Sequence, residues 1–131
     1  MKLLDDLRAR PWTLTALRAI FWLAFAYVLV AAVLPKQIDP PNLFGWDKAN
    51  HFAAFYGLSV LGAAAYPRSP PLILGAWLAG FGALIELGQA LPWVGRDANL
   101  HDWLFDIAGV LAALGPLALA SWRRGYARPP A

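Results

Sequence analysis

The chain has 131 residues, of which 60% are hydrophobic and only 15% charged, with a mean hydropathy of +0.49 and a formal net charge of +3. Soluble domains carry nearer a quarter charged residues, so this balance points to a membrane. There is no Cys, which excludes disulfides, thiol chemistry and thiolate metal sites.

Four apolar runs are predicted to span, over residues 17–34, 48–66, 71–91 and 103–122. Each approaches the roughly 20 residues that a spanning helix needs. Breakers separate them: Pro35, Pro40 and Pro41, then Pro67, Pro70 and Pro71, then Pro92 and Gly95. The first run follows Lys2, Arg8 and Arg10 and contains Arg18, as a signal peptide might. Its length and the three spans that follow make it an uncleaved first helix, and Met1 to Arg10 is read as a short interfacial helix. The second run is short and begins near Lys48, whose stem can snorkel to the headgroups. The tight Tyr66–Pro71 connection makes helices two and three antiparallel neighbours. The fold expected is an all-α membrane protein, one domain over residues 1–131, a bundle of four transmembrane helices.

Orientation follows Lys and Arg placement. Eight basic residues (Lys2, Arg8, Arg10, Arg18, Arg68, Arg123, Arg124 and Arg128) fall on one side with two acids, Asp5 and Asp6, giving +6. Lys36, Lys48 and Arg96 fall on the other with Asp39, Asp47, Glu86, Asp97, Asp102 and Asp106, giving −3. Both termini are therefore expected in the cytoplasm, with the protein in a cytoplasmic (inner) membrane. Seven Trp fit interfacial belts.

The polar residues inside the spans are not scattered. Asp47, Lys48 and His51 open helix two, Glu86 and Gln89 close helix three, and Asp102 and Asp106 open helix four. Alternation of spans brings all three groups to one end of the bundle, whichever way it inserts. Asp47/His51 and Asp102/Asp106 are i, i+4 and Glu86/Gln89 are i, i+3, so each pair shares a helix face. Glu86 lies about 7 Å in from the end of its run. A charged carboxylate at mid-membrane costs about 2.5–3.5 kcal/mol even on insertion scales, so Glu86 and Asp106 should point inward, toward His51. Arg96, on the third loop, can fold over them and pair with a carboxylate. Asp97 and Asn99 read as a turn and helix N-cap, and His101 as an exposed loop residue. Pro116 is placed to kink helix four.

The ordered pattern Asp47-Lys48-x-x-His51-Phe52, Glu86-x-x-Gln89, Gly95-Arg96, Asp102-x-x-x-Asp106-x-x-Gly109 resembles the VanZ-like family of small membrane proteins, over about Asp47 to Gly115. That family often has Asn at the position of Asp106, and Tyr four residues past the His, where this chain has Phe55 beside Tyr56. The resemblance implies a four-helix membrane domain and a link to glycopeptide (teicoplanin) resistance.

Three readings of the cluster follow. One is a site for an envelope lipid or glycan-linked lipid headgroup, with His51, Glu86, Gln89 and Asp106 as core and Asp47, Lys48, Arg96 and Asp102 as rim. The second is an enzyme acting on such a lipid with His51 and Glu86 as acid–base pair. No recognised catalytic signature is present, and Ser59 lies two turns deeper than His51. The third is a polar network that only fixes helix register. No metal and no other cofactor are assigned: there is no HExxH-like spacing, and Lys48 and Arg96 would repel a cation. A proton path is disfavoured because polar residues stop at the outer third. Membrane lipids are the expected partners, nucleic acid is not, and no oligomeric state is assigned.

Overall fold

The computed structural model describes residues 10–35, 38 and 43–126. The expected Met1–Arg10 helix (but for Arg10), and Lys36, Asp39 and Arg128, lie outside them. The described residues form four α-helices and no strand: α1 (Pro11–Val33), α2 (Asp47–Ala65), α3 (Pro71–Gln89) and α4 (Leu100–Tyr126).

Three helices are long and apolar enough to cross a membrane: Pro11–Val33, Pro71–Gln89 and Leu100–Gly125. The helix boundaries differ from the apolar runs for local reasons. α1 starts at Pro11 and α3 at Pro71, where proline's missing N–H and fixed φ suit the first helical position. α4 starts at Leu100 because Asn99 caps it: Asn99 Oδ1 accepts the backbone N–H of His101 at 2.9 Å. His101 therefore sits in the first turn of a helix rather than in a loop, still exposed. α4 continues to Tyr126, through Pro116, as one helix.

α2 is the one helix of the four without an apolar stretch sufficient to count as a span, and it is the most central, contacting α1, α3 and α4, with its largest interface on α4. It buries Phe55, Leu58, Ser59, Gly62 and Ala65. Among the described residues α1 reaches α2 and α3 but not α4. The shared core joins Phe21 of α1, Phe55 and Leu58 of α2, Leu78, Phe81 and Ile85 of α3, and Val110 and Leu114 of α4.

Two features fix how the helices lie. The backbones of α2 and α4 come together at Gly109, where an added Cβ would meet the Phe52 carbonyl oxygen and lie 2.9 Å from Tyr56 N. At the opposite end from the polar cluster, α1 is latched to the C-terminal end of α2. Arg18 Nε donates to Ala65 O at 3.3 Å, with its guanidinium 5.3 Å from the centre of the Tyr66 ring, and Trp22 Nε1 donates to Tyr66 Oη at 2.8 Å. Cations at a helix C-terminus meet its unsatisfied carbonyls and the negative end of its dipole.

Six of the seven Trp are exposed, with Trp46 and Trp93 toward the polar end and Trp12 and Trp122 toward the other. Trp103 departs from the belt reading: it packs between α3 and α4, its Nε1 donating to Ala79 O at 2.9 Å.

Candidate functional site

His51 stands one turn into α2, its side chain 16% exposed, and the carboxylates converge on it. Its Nδ1 is 2.9 Å from Asp106 Oδ1, and Asp106 is fully buried. Its Nε2 is 3.9 Å from Asp47 Oδ2 and 3.9 Å from Asp102 Oδ2. Lys48, three residues before His51, pairs with Asp102 at 3.1 Å. The i, i+4 spacing in α2 and α4 therefore does what was expected of it, facing Asp47/His51 toward Asp102/Asp106.

Glu86 approaches from α3. Its Oε2 accepts the backbone N–H of Asn99 at 2.7 Å, so one residue both caps α4 and holds this carboxylate. Glu86, Asp106 and His51 each place a donor atom within 4.8 Å of the others. The hydrogen-bond partner of His51 is Asp106, with Glu86 close by. The helix register set at Gly109 decides this: Phe52, which Gly109 abuts, follows His51 directly, and Gly109 lies three residues after Asp106.

Two more of the predicted site residues reach α1. Gln89 is buried, its Nε2 donating to Ala32 O at 3.0 Å, which ties α3 to α1. Arg96 turns the same way, Nε donating to Leu34 O at 2.7 Å. Both donors meet carbonyls at the C-terminal end of α1, which have no intrahelical N–H to accept. Gly95, at φ 63°, permits the turn that aims Arg96 there.

Two carboxylate oxygens in the cluster, Glu86 Oε1 and Asp106 Oδ2, are buried without a hydrogen-bond partner. Each such group costs about 1–3 kcal/mol, more when charged, so the cluster is held at the expense of stability. The Ser59 hydroxyl, deeper in α2, is also buried and unpartnered. It lies away from His51 and joins no Ser-His-Asp arrangement.

Beside the cluster lies a cavity of about 880 Å³ between α1 and α2. Its wall is apolar and built largely from small side chains: Ala24, Val28 and Ala31 of α1 face Ala53, Ala54 and Gly57 of α2. Its mouth is polar, with Lys48, Asn50, His51, Gln89, Arg96 and Asp102 along it. The contribution of α1, including Tyr27, and of Asn50 escaped the sequence reading; Ala24 and Ala31 of α1 are small apolar residues that carry no chemical signal. No family model, curated protein or solved structure matches this chain.

Proposed function

We propose that this chain is a four-span bacterial inner-membrane protein of the VanZ-like type, both termini cytoplasmic, that recognises an amphipathic envelope molecule. The cavity carries this reading: one concave surface joins a polar mouth to an apolar wall. An acyl or prenyl chain lies along Ala24, Val28, Ala54 and Gly57. An anionic headgroup meets Lys48 and Arg96, while the carboxylates accept sugar or amine donors. The volume lies within the range of about 300–1,000 Å³ of ordinary ligand sites. α2 crosses beside its three neighbours; its polar first turn faces the cluster, and Phe55, Leu58 and Ser59 at its centre are buried. The family assignment rests on the order of the His, Glu-x-x-Gln, Gly-Arg and Asp motifs, which meet at one end of the bundle, and it makes teicoplanin the first drug for a susceptibility test.

Native mass spectrometry of the protein gently extracted with its own lipids tests this. The parent should retain a defined envelope lipid, and Lys48→Gln combined with Arg96→Ala should lose at least nine-tenths of it while still eluting as a folded species. A folded parent that retains no defined lipid overturns the reading.

The His51–Asp106 hydrogen bond favours a second reading, an enzyme in which Asp106 orients His51 as general base at the edge of the cavity. In that case His51→Gln keeps the lipid and abolishes its turnover. A variant that loses neither binding nor turnover excludes it.

A further inference from the structure

The carboxylates divide into two sets on either side of His51. On the outer side, Asp47 and Asp102 face Nε2, and Lys48 supplies a positive charge directly to Asp102. On the inner side, Asp106 and Glu86 face the same imidazole, and no Lys or Arg pairs with either among the described residues. The inner set is the one that holds the two partnerless buried oxygens, Glu86 Oε1 and Asp106 Oδ2. Asp106 is 0% exposed, so no water shell compensates it.

Asp106 Oδ2 projects across the gap to α3. An added Cβ at Gly82 would lie 2.9 Å from it, and Glu86 is one turn further along the same face of α3. Gly82 thus lets α3 pack directly against Asp106, beside the point where two carboxylates and an imidazole converge. We infer that His51, Glu86 and Asp106 form a binding site for a divalent cation of the Mn²⁺ or Zn²⁺ class.

The chemistry of the donors supports that class. One imidazole nitrogen with carboxylate oxygens suits first-row divalent ions, whereas Ca²⁺ takes six to eight oxygen ligands. Ligand atoms bound about 2.0–2.2 Å from an ion sit roughly 3–4 Å from one another, so atoms now within 4.8 Å need only small rotamer shifts to close on it. Three protein ligands leave coordination positions for water or another ligand. The cationic groups that argued against a metal in the sequence are directed elsewhere: Lys48 pairs with Asp102, and Arg96 Nε donates to Leu34 O. The site is independent of whether the cavity holds a lipid, although an ion there would face a phosphate at the mouth.

The test uses the full chain in detergent, stripped with EDTA and passed into chelator-free buffer, with Mn²⁺ alone as probe. Continuous-wave EPR should show one equivalent of Mn²⁺ removed from the free-ion signal. Pulsed EPR should show ¹⁴N modulation from one imidazole, lost in His51→Gln. Asp106→Asn and Glu86→Gln should each weaken binding at least ten-fold. Should Asp106→Asn fail to fold, Glu86→Gln, whose carboxylate lies at the edge of the cluster, decides alone. Absence of a stoichiometric site in the folded parent overturns the inference and leaves protons to neutralise the cluster. Binding of unchanged strength in a folded Glu86→Gln overturns it too.

Discussion

Gly109→Ala is expected to be the most damaging single-methyl substitution in the bundle. The added Cβ would strike the Phe52 carbonyl oxygen and crowd Tyr56 N, both of them backbone atoms of α2 that cannot rotate aside. The α2–α4 interface must then open along its length, at a cost of about 3 kcal/mol, the upper part of the overpacking range. A fall of roughly 10 °C in the thermal midpoint of the detergent-solubilised protein corresponds to that cost. The same displacement moves His51 away from Asp106, so the imidazole resonances should shift even at temperatures where the variant is folded. Gly57→Ala on α2 provides the control. No atom lies within 4 Å of its added Cβ, and replacing a helical glycine with alanine should stabilise by about 0.5–1 kcal/mol. Equal midpoints for the two variants would refute the packing account.

The second large effect is expected at Gly57 itself, with a bigger side chain. Gly57 lines the cavity and faces open space. Gly57→Phe should fill the apolar wall between α1 and α2, remove at least nine-tenths of any retained envelope lipid in native mass spectrometry, and leave the thermal midpoint within a few degrees of the parent. It changes no polar group, so it separates loss of the hydrocarbon seat from loss of headgroup contacts. Lipid retention at the parental level in the folded variant would mean that the ligand does not lie along this wall.

The polar end of the bundle was legible in the sequence for a simple reason. Successive spans alternate in direction, and Asp47/His51, Glu86 and Asp102/Asp106 all lie toward the same end. Helical spacing then gives their faces, and the structure brings these residues together as the spacing requires. The partners within the cluster were not legible. His51 bonds Asp106 because of the helix register at Gly109, a tertiary property that motif order does not encode. The bonds of Gln89 and Arg96 to Ala32 O and Leu34 O were not legible either. Every helix ends in unsatisfied carbonyls, so their sites are invisible until the end of α1 has a position beside α3. The cavity was hidden similarly: Gly57 reads as a packing residue, and only the position of α1 beside α2 turns its empty side into a wall.

That cavity has a kinetic consequence. α1 and α2 are joined at Arg18, Trp22, Ala65 and Tyr66, with a cavity between them toward the polar end, where α1 is bonded by Gln89 of α3 and by Arg96 of the loop that follows it. On the proposed four-span arrangement, a slot between α1 and α2 opens sideways, and its visitor arrives by lateral diffusion. Occupancy then follows the mole fraction of the visitor in the leaflet, and diluting the vesicles in buffer leaves it unchanged. Saturation curves drawn against bulk concentration would shift with the amount of bilayer present, whereas those drawn against mole per cent would superimpose.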